Sequence, residues 1–216
     1  MLKLYDFWRS SAAYRVRIGL NLKRVAYESE PVNIAPGKEE QMRPPFRDLN
    51  PQMRVPALET PHGVLTQSMA ILEWLDATHR DPPLLPSDSW AAAQVRAFAM
   101  TIAADIHPLN NISVLTRIKL EFSAPEDHVN EWYRHWIKLG FAALEHQAAA
   151  RPQTQYVFGD APGLADIMLV PQMYNARRFE VDLAPFPRLA AWDEEARKHP
   201  AFAKAAPENQ KDAVKA

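Results

Sequence analysis

A proline-dense break, Asp81-Pro82-Pro83-Leu84-Leu85-Pro86, separates two kinds of sequence in this chain. On its N-terminal side, short apolar runs with strand character alternate with stretches of helical spacing. On its C-terminal side, strand signals nearly vanish. A single layer of one element type cannot accommodate both patterns, and rigid, proline-rich segments are where domains part. Two domains are therefore expected, residues 1–82 and residues 87–216.

In the first domain Leu4-Tyr5-Asp6-Phe7 reads as a strand, and Val16-Arg17-Ile18-Gly19-Leu20-Asn21-Leu22 as part of a helix. Val25 to Glu30 reads as a second strand, followed by a Pro-broken loop with a short helix around Glu39–Met42. Two apolar runs around Pro61-His62-Gly63 predict an antiparallel hairpin. Gln67-Ser68 then opens a helix with Ile71, Leu72 and Leu75 on one face and Ser68 as its expected N-cap. The order is β-α-β-α-β-β-α, a small α/β layer. Its first two strands, joined through a helix, are expected to be parallel with a right-handed crossover.

Beyond the break, Val95, Phe98, Ile102 and Ile106 predict a long helix from Trp90 to about Phe122, kinked at Pro108. Helices are also expected over Glu126–Ala150 and Gly163–Phe179, the latter apolar on most faces and hence buried, with one or two more between Ala184 and Ala206. Lys211-Asp212-Ala213-Val214-Lys215 reads as a loose end. The second domain is all-helical.

Charge excludes some functions. Basic and acidic side chains number 25 and 26, for a net charge of −1, so there is no overall electrostatic case for nucleic acid or a membrane surface. No apolar run approaches the roughly 20 residues a membrane span needs. The N-terminus opens on a strand-like segment rather than a leader, and the expected setting is the cytoplasm. Cysteine is absent, which removes disulfides, thiolate metal sites and a cysteine nucleophile together; no metal site is expected. Any nucleophilic sulfur has to arrive with a bound molecule.

Three places carry polar groups suited to chemistry. Ser10 and Ser11 lie where the first strand gives way to the first helix, among orphan backbone N–H groups and the positive end of the helix dipole. Taken alone, they read as a helix cap. Val55-Pro56 precedes the hairpin, either as the start of an edge strand or as a cis bond exposing a backbone docking edge. Gln67-Ser68 offers an amide and a hydroxyl at a second helix start, suited to a carboxylate.

Together these places resemble the cytosolic glutathione transferase fold. The run Arg9-Ser10-Ser11-Ala12-Ala13-Tyr14-Arg15-Val16-Arg17-Ile18 is similar to the motif of the zeta class, which includes the maleylacetoacetate and maleylpyruvate isomerases. Leu49-Asn50-Pro51-Gln52, Leu65 to Ile71, Asp105 to Asn111, Asp166 to Leu183, Pro200-Ala201-Phe202 and Pro207-Glu208-Asn209-Gln210 extend the resemblance over nearly the whole chain.

The resemblance implies a thioredoxin-like N-terminal domain, an all-α C-terminal domain, a homodimer, and glutathione as the source of the thiol. It implies reversible addition of the thiolate to the double bond of a maleyl diacid, with displacement on a small α-halo acid or a non-catalytic binding module as alternatives. Residues implied in catalysis are Ser10, Ser11, Arg9, His107 and Arg178; the family points mainly to Ser10. Those implied in glutathione binding are Ser10, Ser11, Val55, Pro56, Gln67, Ser68 and His107. Arg177 is expected to be structural, and Arg15 and Arg17 to lie at the surface or a domain interface.

Three departures stand out. Ala12 replaces the usual cysteine, Gly163 replaces a hydroxyl N-cap before Asp166, and Ile112 stands where maleylpyruvate isomerases tend to carry an arginine.

Overall fold

The structure, a computed structural model, describes residues 1–214. The chain divides into two compact units, Met1–Pro83 together with the segment from Lys198 on, and Leu84–Arg197. The division at Pro83 falls inside the expected proline-dense break. The C-terminal segment does not follow the expectation, since it packs in the first unit rather than in the helical one.

In the first unit, β1 (Leu2–Asp6) leads into α1 (Ser11–Leu22) and β2 (Tyr27–Pro31), followed by a 3-10 turn (Glu40–Met42) and a one-turn α2 (Phe46–Leu49). The hairpin β3 (Ala57–Thr60) and β4 (Gly63–Thr66) precedes α3 (Ser68–Thr78). The sheet order is β2-β1-β3-β4, with β1 and β2 parallel as expected and the other pairs antiparallel. Leu2, Leu4 and Leu58 from the sheet pack with Val16 and Leu20 of α1 and Ile71 and Leu75 of α3. The two helices cross tightly at Gly19, where an added Cβ would come 2.3 Å from Leu72 Cδ2.

Alternation along β1 turns Leu2, Leu4 and also Asp6 inward. A carboxylate there needs a partner, and Arg17 supplies it. Arg15 and Arg17 are therefore not surface residues: they are 2% and 0% exposed, within the α/β unit. Helix α9 (Pro200–Ala205) lies against α1, held by Arg17 Nε on the Ala205 carbonyl at 3.0 Å and Asn21 Nδ2 on the Ala201 carbonyl at 3.0 Å. Those bonds are the physical reason the C-terminal segment belongs to the first unit. The tail is not loose: Asp212 accepts the Trp8 N–H at 3.0 Å. Lys215, the last residue of that expected loose end, lies outside the described residues.

The second unit comprises α4 (Ser89–Met100), a π-helical turn (Thr101–Ile106), α5 (Ile112–Glu121), α6 (Glu126–Ala149), α7 (Leu164–Arg178) and α8 (Pro187–Lys198), whose last residue falls at the unit boundary. The expected single helix from Trp90 to Phe122 is broken rather than kinked. Pro108 has no N–H and crowds the preceding turn, so the chain widens into the π turn, leaves the helix at His107 and restarts at Ile112, capped by Asn111. Helix α7 is buried along almost its full length, as its apolar pattern predicts.

At the start of α7, Asp166 Oδ2 accepts the Gly163 N–H at 2.9 Å and Oδ1 accepts the Val157 N–H at 3.0 Å. Gly163 is explained by its neighbour. A Cβ there would sit 3.0 Å from the Leu84 carbonyl oxygen, which accepts the Leu164 N–H at 2.9 Å, so a hydroxyl cap would crowd that bond.

Burial pushes the Asp166 carboxyl up to about 6, against the pull of its backbone donors. A folded value above the unfolded one means that this group's contribution is complete below pH 4 and is lost as pH rises through 6. The difference is roughly 3 kcal/mol. Asp166→Asn, which does not titrate, is expected to be closer to wild-type stability at pH 7 than at pH 4. Urea unfolding at both pH values checks this; an equal deficit at the two would contradict it.

Candidate active site

The register Tyr5↔Ala57 and Ala57↔Thr66 aligns the C-terminal end of β1, the start of β3 and the end of β4 in one row. The segments leaving that row are Phe7–Ser10, Val55–Pro56 and Gln67–Ser68. Three of the expected polar places therefore meet at one end of the sheet, with the N-termini of α1 and α3 beside them.

Ser10 is the N-cap of α1, with extended backbone, and its Oγ accepts the Ala13 N–H at 3.3 Å. That bond uses a lone pair and leaves the hydroxyl hydrogen to donate. Ser10 N–H closes a turn onto the Phe7 carbonyl at 2.9 Å. Ser11 is the first residue of the helix and half-buried. Arg9 is exposed, its guanidinium 5.3 Å from the Trp8 ring centre.

The Val55–Pro56 bond is cis, and Val55 is buried against Phe7 and Ala57. The loop before it is organised by Asn50, quoted above only as part of a matching stretch. Buried Asn50 donates to the Arg54 carbonyl at 2.7 Å and accepts the Gln52 N–H at 3.1 Å.

Ser68 is not the N-cap of α3. That position is Gln67, at φ 69°, and Ser68 is the first helical residue, buried. A glutamine in this left-handed region is strained, and such strain is held where the surroundings fix it. Gln67 Nε2 donates to Gln52 Oε1 at 3.0 Å, and the Gln67 carbonyl accepts the Ile71 N–H. The Ser68 hydroxyl accepts from Arg15 Nη1 at 3.5 Å, which brings a permanent positive charge to the second helix start. Sequence reasoning missed this contribution of Arg15.

Asp6 and Arg17 form a buried pair behind the first turn. Arg17 Nη1 reaches both carboxylate oxygens, at 2.7 and 2.9 Å, and Nη2 donates to the Trp8 carbonyl at 2.9 Å. Burial pushes the Asp6 carboxyl up, and the charge of Asp212 adds to this, while Arg17 pulls it down.

His107 and Arg178 belong to the helical unit. His107 ends the π turn, its N–H on the Ile102 carbonyl at 2.9 Å, and its carbonyl accepts the Asn110 N–H at 3.2 Å. Asn110 Nδ2 and Trp132 Nε1 tie that turn to α6, through the carbonyls of Tyr133 and Leu109 respectively. Arg178 is exposed at the end of α7, 4.7 Å from the Phe179 ring centre, and Phe179 stacks on Tyr133 at 3.6 Å. Its neighbour Arg177 is ion-paired to buried Asp193 at 2.6 Å, a structural role. A cavity of about 280 Å³ in the α/β unit is lined by Tyr5, Val32, Arg43 and Phe46 among others, and by none of the candidate residues.

Among the described residues no cluster could hold a metal ion, and no helix is long and apolar enough to cross a membrane. A mixed four-stranded sheet with a hydroxyl-capped helix start, joined in one chain to an all-helical unit, defines a class. Residues 1–77 match the family model of the glutathione S-transferase N-terminal domain, and residues 130–192 that of the C-terminal domain. The chain belongs to the glutathione transferase family, in its zeta class.

Among its relatives, a maleylpyruvate isomerase of Ralstonia sp is 47% identical over 214 residues, covering 99% of this chain and 100% of the relative. A maleylacetoacetate isomerase of Pseudomonas aeruginosa is 44% identical over 212 residues, covering 98% of each. The holo structure of a maleylpyruvate isomerase, described as a bacterial zeta-class glutathione S-transferase, superposes with a TM-score of 0.95 at 47% identity, covering 98% of this chain and 100% of that one. A maleylacetoacetate isomerase from Anaeromyxobacter dehalogenans, solved with GSH bound in its active site, gives 0.89 at 43% identity, covering 99% and 98%.

Proposed function

We propose that this protein is a glutathione-dependent cis–trans isomerase of a maleyl diacid, of the maleylacetoacetate or maleylpyruvate type. The observation that carries the reading is the row Tyr5–Ala57–Thr66, which gathers the Ser10 turn, Val55–Pro56 and Gln67–Ser68 at one end of the sheet. Full-length identity of 44% and 47% to proteins bearing those two isomerase names supports it.

The donor set fits glutathione, an extended tripeptide with two carboxylates and a thiol. Ser68 and Gln67 at the start of α3, backed by Arg15, suit a carboxylate. The backbone of Val55 suits the peptide groups. Ser10, with its hydroxyl hydrogen available at the start of α1, suits a thiolate. Ser11 adds a second hydroxyl beside it.

When bound, glutathione supplies a thiolate that adds reversibly to the substrate's double bond and is released unconsumed once the bond has turned. The chain's residues bind and orient. Ser10 donates its hydroxyl hydrogen to the sulfur and keeps it ionised, which a chain without cysteine requires. Arg9 and Arg178 are assigned to the substrate carboxylates, and His107 to a glutathione or substrate contact. The same reading takes the protein as a cytoplasmic homodimer.

Ultraviolet-monitored isomerisation of maleylacetoacetate and maleylpyruvate tests the reading. The expected result is turnover with glutathione, background without it, and full recovery of free thiol. Loss of thiol with release of halide from an α-halo acid, and no isomerisation, would replace the reading with a transferase.

A further inference from the structure

We propose that Asp212, in the C-terminal tail, is a positioning residue for the turn that carries Ser10. The inference rests on the function proposed above. The peptide groups around Trp8 link β1 to α1, and the direction of the Ser10 hydroxyl follows from how they are held. Asp212 Oδ2 accepts the Trp8 N–H at 3.0 Å, while Arg17 Nη2 donates to the Trp8 carbonyl at 2.9 Å. The turn is thus gripped on both sides, and each grip leads back to the C-terminal segment, because Arg17 Nε also donates to the Ala205 carbonyl at 3.0 Å.

The tail is built to deliver that carboxylate. Helix α9 ends with carbonyls that have no further helical turn to accept from. Asn209 Nδ2 donates to the Ala203 carbonyl at 2.7 Å, and Gln210 Nε2 to the carbonyls of Lys204 and Ala206 at 3.0 and 2.8 Å. Ala213 N–H returns to the Gln210 carbonyl at 3.2 Å, closing a turn around Asp212. The stretch Pro207-Glu208-Asn209-Gln210, which has no part in the chemistry proposed above, is in this view the mount for Asp212.

Three chains test the proposal: wild type, Asp212→Ala and Asp212→Asn, the last keeping a neutral oxygen acceptor. Backbone amide hydrogen exchange at Trp8, measured on the full chain without ligand, is expected to quicken about tenfold in Asp212→Ala and to stay near wild type in Asp212→Asn. With glutathione, Asp212→Ala is expected to raise the pKa of the bound thiol and lower kcat about tenfold with little change in the KM of the diacid, and Asp212→Asn to restore most of both. Unchanged exchange at Trp8 overturns the proposal. So does quicker exchange with an unmoved thiol titration and kcat, since the bond is then merely structural. A wild-type chain that ionises no thiol overturns the proposed function instead, and shows it in that one arm.

Discussion

Arg17→Met is expected to destabilise the protein by about 3–5 kcal/mol, the cost of leaving a buried charge without its partner. Methionine fills much of the space of the arginine stem and replaces none of its donors. The Asp6 carboxylate loses both bonds from Nη1, and the carbonyls of Trp8 and Ala205 lose their donors. Burial raises the Asp6 carboxyl and Arg17 opposes it, so in the variant the folded value rises further. A group whose folded value lies above its unfolded value loses stability as pH rises. Because the variant's carboxyl stays protonated further up than the already raised wild-type one, the deficit is expected to widen with rising pH, starting above the ordinary carboxylate range.

The double variant Asp6→Leu/Arg17→Met removes the orphaned charge and is expected to recover part of the loss, though not the part due to the two carbonyls. Urea unfolding of the three chains checks this. A single variant as stable as wild type, or a double variant no better than the single one, would contradict the account of the pair.

Ser10→Ala is expected to raise the pKa of bound thiol by 1–2 units, on the order of a hydrogen bond to a charged group, and to lower turnover about ten- to a hundredfold. A free thiol titrates near 8.5, and lowering it by about 2 units takes roughly 2.7 kcal/mol of preference for the thiolate. A helix terminus gives about 0.3–1 kcal/mol, up to ~2 at best, and a hydroxyl about 1.5–3. The dipole alone falls short, and the hydroxyl makes up the difference. The substitution also removes the cap on the Ala13 N–H, worth about 1 kcal/mol of stability.

Ser10→Asp separates the two effects. It keeps an acceptor for the cap but sets a negative charge against the sulfur, so stability is retained while the thiol pKa rises further than with alanine. If Ser11→Ala moves the thiol and Ser10→Ala does not, the roles of the two serines are exchanged.

The α/β unit was legible because its patterns are local: a strand before Ser10, a Gly-containing turn between two short apolar runs, and helical spacing after Gln67. Ser10 stands at the start of α1, as the pattern predicts, whereas Val55–Pro56 is open in the sequence between an edge-strand start and a cis bond, and the structure has the cis bond. Arg15 and Arg17 are not at the surface, although charges flanking Val16 look like a solvated helix face. The available signal was Asp6, a lone charge on the inward alternation Leu2, Leu4, Asp6. Such a residue demands a buried cation.

The break at His107 was visible only as Pro108; an i to i+5 widening leaves no period in the sequence. Helical periodicity located α9 but could not say which unit it packs on, because that depends on Arg17 and Asn21 finding its carbonyls. For Gly163 the reason lies nearly eighty residues away, at the Leu84 carbonyl, and no local pattern carries it.

The most direct test of the central claim is ultraviolet difference titration of the thiol of glutathione bound to the wild-type protein. Thiolate absorbance appearing about 2 units below the pH at which free glutathione ionises is the expected result. A bound thiol that titrates with the free one, or no binding at all, would contradict the account.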